Sequence, residues 1–257
     1  ATGHYANIKT FQPKAEPPLA EKHKNIKTFQ LTVARDKNKD QTYFLHQLNQ
    51  KQLAHVLFPI GKYLKSEVRS LARRFHLPTA EREESMGICF VGKVPMKKFL
   101  LQKIKPKPGK IALTDGTVIG KHDGLAFYTI GQRHLSLKHK NIKTLKQIYS
   151  KPLYVVQKRA KTNELVVGHE DDPALYRKEV LVGKVSWVSG HEPEFPLQCR
   201  VRLRHRQALQ ACTIKTLKHK NIKTVLVEFK KSQRAVTPGQ FAVFYKEDEC
   251  VGGGVII

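Results

Sequence analysis

The chain contains few cysteines, few acidic residues and no long apolar run. Its 257 residues include 4 cysteines, 2 methionines and 1 tryptophan. No apolar run approaches the length of a membrane-spanning helix, so the sequence predicts no span. The cysteines lie far apart without a Cys-x-x-Cys spacing, which argues against a zinc site and against a secreted disulfide framework. We therefore expect a reducing compartment, no bound metal and no membrane partner.

Acidic residues are heavily outnumbered by basic ones. The chain has 21 Asp and Glu against 47 Lys and Arg, a formal net charge of +26. A charge of this size predicts a polyanionic partner, nucleic acid first. An anionic membrane surface ranks second, because the basic residues are spread along strand-like and loop-like stretches instead of one helix face. Three unequally spaced copies of His-Lys-Asn-Ile-Lys-Thr, at 23–28, 139–144 and 219–224, supply part of the charge, and their spacing excludes a solenoid.

From about Gln41 to Phe99 the apolar residues recur at helical spacing. Ser66 is the expected N-cap of the clearest helix, with Glu67 in its first turn. A further short helix is expected to start at Pro95. The residues expected on the buried helix faces are Leu48, Leu53, Val56, Leu57, Val68, Leu71, Ala72 and Phe75.

After a proline-rich break at 105–109 the pattern becomes that of β-strands. Asp115-Gly116 predicts a hairpin between two short apolar runs. Further strands are expected at 127–130, 153–156 and 165–167. From Leu181 onward, regularly spaced strands predict a small antiparallel barrel or sandwich.

One predicted strand, Cys199 to Arg204, alternates apolar residues with arginines. Because side chains alternate across a strand, Arg200, Arg202 and Arg204 are expected to form a row of guanidinium groups on one face. Such a row matches a phosphate backbone. The alternative is an ordinary solvated strand face, although these usually mix charges of both signs.

Cys89 lies between two glycines, in Met86-Gly87-Ile88-Cys89-Phe90-Val91-Gly92. Glycines permit a bent backbone that a ligand can approach, so the segment is typical of a loop presenting a reactive thiol. The alternative is a small buried apolar residue, since free cysteine is among the most buried residue types. The other three cysteines fall on predicted barrel strands and are expected to be core residues.

Five segments, taken in order, form a recognisable set of motifs: Ala1 to Ala6, Asn38 to Leu45, Phe58 to Gly61, Glu84 to Gly92, and Tyr128 to Arg133. Together they resemble the tRNA-specific 2-thiouridylase family. The likeness covers nearly the whole chain apart from the repeated segments, and it is greatest to mitochondrial members through 172–177 and 238–250.

The resemblance implies a fold class of α/β plus β in three domains. Residues 1–99 would be the remnant of a PP-loop adenylating domain, 100–165 a small β-rich central domain, and 166–257 a tRNA-binding antiparallel β-barrel. It implies ATP-dependent 2-thiolation of the wobble uridine of mitochondrial tRNAs through an adenylated uridine. The implied partners of this mitochondrial monomer are tRNA and a sulfur-relay protein that donates a persulfide.

The resemblance also assigns individual residues. Cys89 would carry the persulfide, which attacks C2 of the activated uridine. Gly3 would contact ATP through its backbone. Chemistry at C2 requires the uridine to leave its stack, and the residues implied to contact tRNA around it are His4, Lys39, Asp40, Gln41, Arg204, His205, Arg206 and Gln240.

Two parts of the family pattern are missing. No Ser-Gly-Gly-Val-Asp-Ser-type phosphate loop is present, and no cysteine precedes Cys89 to resolve the persulfide. The chain also opens on Ala1 without a signal or transit peptide, so we expect it to be the later part of a longer protein. We expect these 257 residues alone to be inactive. A competing hypothesis is a non-catalytic tRNA-binding module that holds its partner by charge and shape.

Overall fold

The computed structural model describes residues 3–11, 28–82, 94–133, 151–217 and 224–257. The chain divides into two compact units. The first combines Ala1–Arg82 with Glu179–Lys230 and Pro238–Ile257, and the second combines Glu83–Lys178 with Lys231–Thr237. The N-terminal segment and most of the C-terminal barrel therefore belong to one unit.

The barrel consists of six antiparallel strands. They are β7 (Tyr176–Trp187), β8 (Leu197–Arg202), β9 (Gln210–Thr216), β10 (Val225–Arg234), β11 (Phe241–Lys246) and β12 (Glu249–Ile256). The strands follow the order β12-β11-β8-β9-β10-β7, and pairing of β12 with β7 closes the ring. Alternating buried and half-exposed positions in β10 show how one face of each strand fills the interior. The predicted barrel is confirmed.

The N-terminal segment adds a hairpin to this barrel. Strands β1 (Asn7–Phe11) and β2 (Thr28–Thr32) pair antiparallel, and β2 also pairs antiparallel with the first half of β12. Ala6, Leu31 and Tyr43 share one hydrophobic core with Val243 and Tyr245 of the barrel. Burial of these side chains stabilises the attachment of the segment by several kcal/mol, at roughly 25 cal/mol per Å² of apolar surface.

Gly253 of β12 is required by this close packing. A Cβ atom at Gly253 would lie 2.7 Å from the carbonyl oxygen of Ala242 and 2.7 Å from the His46 ring. Only a residue without a side chain lets the His46 ring approach β12 so closely.

Three short helices follow the hairpin: α1 (Thr42–Leu45), α2 (Gln50–Leu53) and α3 (Lys65–Arg74). The prediction of Ser66 as N-cap was wrong, since α3 starts earlier, with Leu64 at its N-cap. The backbone N–H groups of Leu64 and Lys65 donate to Glu67 and Asp36, which satisfies the first turn without Ser66. No residue of α3 is fully buried.

The predicted short helix after Pro95 is confirmed as α4 (Met96–Leu101). The described part of residues 1–99 thus combines one antiparallel hairpin with short helices. Within the described ranges, the parallel pairing typical of an α/β domain occurs only in the second unit, where residues 110–113 pair with residues 164–167. No helix in the described ranges is long and apolar enough to cross a membrane.

The second unit contains a four-stranded sheet. Its strands are β3 (Gly109–Leu113), β4 (Val118–His122), β5 (Tyr154–Arg159) and β6 (Glu164–Gly168), in the order β4-β3-β6-β5. The Asp115-Gly116 hairpin is confirmed, with Gly116 at φ 93°. The strand predicted at 127–130 was wrong. A 3-10 helix, Leu125–Phe127, and a turn occupy this stretch, between Gly124 and Gly131, which both have positive φ.

Candidate nucleic-acid interface

The first unit gathers most of the sequence-predicted binding residues around one buried carboxylate, that of Asp40. Its side chain is 0% exposed. Oδ1 accepts the backbone N–H of Ala34 at 3.1 Å, and Oδ2 accepts the Thr42 hydroxyl at 2.8 Å and Arg202 Nη1 at 3.0 Å. A buried charge requires such partners, because its removal from water is otherwise strongly unfavourable. Asp40 therefore fixes the loop between β2 and α1 onto strand β8.

Arg202 completes this buried group and corrects the prediction of an arginine row. Its side chain is only 11% exposed, and its guanidinium lies 5.3 Å from the centre of the Tyr245 ring. Its Nε is buried without a hydrogen-bond partner. The exposed Arg200 donates instead to the carbonyl of Glu247 at 2.7 Å. The alternation correctly placed Arg200 and Arg202 on one strand face, but β8 ends at Arg202, so Arg204 lies on the following loop, and the loop carrying Asp40 covers Arg202.

Thr42 and Tyr245 extend the buried network. Their hydroxyl oxygens are 3.1 Å apart. Burial strongly raises the pKa of the Tyr245 phenol, so this hydroxyl stays protonated at physiological pH. The network thus contains one carboxylate, that of Asp40, one guanidinium, that of Arg202, and the neutral hydroxyl groups of Thr42 and Tyr245.

Gln41 connects a second predicted segment to the same place. Its backbone N–H donates to the carbonyl of Tyr5 at 2.9 Å, and its side-chain Oε1 accepts the Tyr5 N–H at 2.9 Å. These two bonds place Gly3 and His4 beside the loop of Lys39 and Gln41. Gly3 is exposed, and a Cβ atom there would meet nothing within 4 Å. Packing within the described residues therefore does not require glycine at position 3.

The loop after β8 brings the third predicted segment. His205 Nε2 donates to the backbone carbonyl of Asp40 at 3.1 Å, so the ring is held against the loop. Arg204 is half-buried, and Arg206 is exposed with a left-handed backbone at φ 66°. Three segments, which hydrogen bonds join to one another, thus carry the predicted residues His4, Lys39, Asp40, Gln41, Arg204, His205 and Arg206.

Tyr43 anchors the chain next to Gln240, the last of the predicted binding residues. Its hydroxyl donates to the carbonyl of Phe241 at 3.0 Å and lies 3.3 Å from that of Leu203. Burial raises the pKa of Tyr43, which keeps this donor protonated. Gln240, half-buried, directly precedes Phe241.

Sequence reasoning missed Phe44. Its side chain is 58% exposed although the residue is large and apolar. The ring lies 4.6 Å from that of His205 and contacts Tyr43 edge-on at 5.4 Å. An exposed aromatic ring amid basic side chains is typical of surfaces on which unpaired bases stack. The signal available in the sequence was the aromatic pair Tyr43-Phe44, which Thr42 alone separates from Lys39-Asp40-Gln41.

Cys89 lies outside the described residues, as do the segments flanking it. Cys212 and Cys250 are buried on barrel strands, as predicted, whereas Cys199 lies on a barrel strand but is only partly buried. Within the described ranges no group of His, Cys, Asp and Glu is arranged to hold a metal ion. Gly3, which the resemblance assigns to ATP, has an exposed backbone.

Three family models match successive parts of the chain. The tRNA methyl transferase HUP domain matches residues 1–93, the tRNA methyl transferase PRC-barrel domain residues 97–169, and the aminomethyltransferase beta-barrel domain residues 177–256. The three models together account for nearly all of the sequence.

Curated relatives match along the full chain. The tRNA-specific 2-thiouridylase MnmA of Coxiella burnetii is 42% identical over 258 residues, covering 100% of this chain and 65% of the relative. The proteins of the same name from Paraburkholderia phymatum and Nitrosococcus oceani are 41% and 39% identical, with 63% and 64% of their lengths covered. The chain thus spans just under two thirds of the length of these relatives. Because the family models and the relatives agree along the whole sequence, this chain belongs to the tRNA-specific 2-thiouridylase family.

Proposed function

We propose that this chain is part of a tRNA-uridine 2-sulfurtransferase that replaces the C2 oxygen of the wobble uridine with sulfur in an ATP-dependent reaction. Family membership supports the reaction class, and the interface built around Asp40 supports tRNA as the partner. Cys89 carries the sulfur as a persulfide in this proposal, received from a donor protein. A mitochondrial location and a sulfur-relay protein as the donor stay predictions from the resemblance.

The observation that carries the proposal is the assembly of binding residues by a buried ion pair. Asp40 has no exposed side-chain surface, so its carboxylate positions the loop while Lys39, Gln41 and the nearby Phe44 supply the outer surface. Arg204, His205 and Arg206 approach from the barrel. The combination of cations and an exposed ring fits a single-stranded loop whose bases are unstacked.

The experiment is a titration of a labelled anticodon stem-loop with the purified chain, followed by fluorescence anisotropy. We expect Phe44→Ala to weaken binding about 5- to 150-fold, since stacking on one aromatic ring contributes roughly 1–3 kcal/mol. Arg206→Gln should also weaken binding, because it removes a positive charge that attracts phosphate. Lys121→Gln, an exposed lysine of β4, is the matched control and should leave the affinity unchanged. If general charge attraction alone held the tRNA, Arg206→Gln and Lys121→Gln would weaken binding equally and Phe44→Ala would leave it unchanged.

The 257 residues contain no phosphate loop. We expect them to bind tRNA without thiolating it when supplied with ATP and a persulfide donor. Appearance of 2-thiouridine in digested tRNA, measured by mass spectrometry, would contradict this expectation.

A second candidate is a non-catalytic tRNA-binding module. It is favoured because the predicted residues assembled at the described interface were all assigned to tRNA binding and none of them to catalysis. Treatment with a persulfide donor separates the two hypotheses. Selective persulfidation of Cys89, absent in Cys89→Ser and low at the buried Cys250, supports the sulfurtransferase, whereas uniform or absent labelling supports the module.

A further inference from the structure

Two cysteines outside the proposed interface face each other across neighbouring barrel strands. Cys199 of β8 and Cys212 of β9 are direct partners in the antiparallel register. Their Sγ atoms lie 3.6 Å apart, and neither is in a disulfide. Cys212 also donates its S–H to the carbonyl of Cys199 at 3.6 Å. Because 13 positions separate the two cysteines in sequence, the sequence alone did not predict this pairing.

The strand register already meets the backbone requirement of a disulfide. Directly opposed residues in an antiparallel pair have Cα atoms about 4.5 or 5.5 Å apart. A disulfide spans Cα distances of about 4.4–6.8 Å, so both classes of pair qualify. The Sγ atoms must approach by roughly 1.6 Å to reach a bond length near 2.04 Å, a movement that side-chain rotation supplies.

We propose that Cys199 and Cys212 form an oxidation site that closes into an intrachain cross-strand disulfide. The oxidant is a hydroperoxide, of which hydrogen peroxide is the smallest. The Cys199 thiolate attacks one peroxide oxygen, breaking the O–O bond and giving a sulfenic acid and hydroxide. The Cys212 thiolate then attacks the Cys199 sulfur and expels the second hydroxide. The two thiol protons neutralise the two hydroxides, so two thiols and one peroxide yield one disulfide and two waters.

The surroundings decide which sulfur reacts first and how fast. Cys199 is partly exposed whereas Cys212 is buried, so Cys199 is the point of attack. The neighbouring Cys212 thiol and burial raise the pKa of Cys199, and few thiolates are therefore present at neutral pH. Oxidation of Cys199 should therefore require sustained exposure to the hydroperoxide instead of a brief pulse. It should also become faster as the pH rises.

Closure would place the loop after β8 inside a covalent ring. The ring would run from Cys199 to Cys212 and include Arg204, His205 and Arg206. A cross-link at its base limits the excursions of these side chains. This consequence for tRNA binding rests on the proposed function, whereas formation of the disulfide does not.

The test uses the whole chain with Cys89→Ser, so that only Cys199, Cys212 and Cys250 can react. The protein is incubated with hydrogen peroxide, alkylated, digested without reductant and analysed by mass spectrometry. We expect a single linked peptide pair, Cys199 with Cys212, in the majority of chains, lost on addition of dithiothreitol. Formation should be faster at about pH 8.5 than at about pH 7, following the thiolate fraction.

Control variants make the outcome decisive. Cys250→Ala should retain the linked pair, and Cys212→Ser should abolish it and leave Cys199 to oxidise further. Recovery of both cysteines as alkylated thiols, or links divided evenly with Cys250, overturns the proposal. Because the measurement is made without tRNA, its failure is separate from any failure of the proposed function.

Discussion

Each of the two units contains an arginine that stacks on a tyrosine and pairs with a carboxylate. In the first unit Arg202 lies over Tyr245 and pairs with Asp40, with side chains 11% and 0% exposed. In the second unit Arg234 lies 4.7 Å from the centre of the Tyr154 ring and pairs with Glu170, with side chains 33% and 52% exposed. The groups are alike, so their different burial should decide what each contributes to stability.

The largest effect is expected from Asp40→Ala. This change leaves Arg202 buried without its carboxylate, and breaking a buried pair in this way destabilises proteins by about 3–5 kcal/mol. Urea denaturation followed by circular dichroism measures the loss. The double variant Asp40→Leu with Arg202→Met should recover most of it, because no uncompensated charge remains. If the double variant is as unstable as Asp40→Ala, the charge is not the cause.

A smaller effect is expected from Tyr245→Phe. The ring under Arg202 remains, but the hydroxyl at 3.1 Å from Thr42 is lost. The free energy of unfolding should fall by about 1 kcal/mol, the usual net contribution of one hydrogen bond. Tyr154→Phe is the matched variant in the second unit. Equal effects at both positions would show that burial of the hydroxyl is unimportant.

The pH dependence of the first unit should come from His46. Burial lowers its pKa from the ordinary 6.5, and its Nε2 is buried without a partner. Its folded-state pKa is below the unfolded one, so the unfolded chain binds more protons and stability falls as the pH drops below about 6.5. His46→Asn should flatten the curve between about pH 7 and 5. His55→Asn, at an exposed histidine with a similar carbonyl contact, is the matched control.

The smallest effect is expected from Glu170→Gln. The pair with Arg234 is solvated, and exposed ion pairs contribute about 0–1 kcal/mol. Raising the salt concentration should remove most of this difference, since exposed charges are screened. If Glu170→Gln lowered the free energy of unfolding as much as Asp40→Ala does, burial would not decide what each ion pair contributes.

Features set by neighbouring residues could be predicted from the sequence. The Asp115-Gly116 hairpin, the barrel strands and the helix after Pro95 all depend on turn residues or local periodicity. The pairing of Asp40 with Arg202 and of Cys199 with Cys212 depends instead on strand register and on a loop that covers one strand. Those arrangements are tertiary, so alternation in β8 identified the arginine face but not the residue that buries its centre.

The split pairing of β12 has a consequence for synthesis of the chain. Its first half binds β2 and its second half binds β7, so Gln30 meets its partner Glu249 across 219 positions. While the ribosome is still translating the middle of the chain, the edge of β2 and apolar side chains such as Leu31 have no cover from β12. Contacts at such long separation form slowly, and exposed strand edges promote association with other chains. Chaperone binding to the nascent N-terminal hairpin should therefore last until β12 leaves the ribosome.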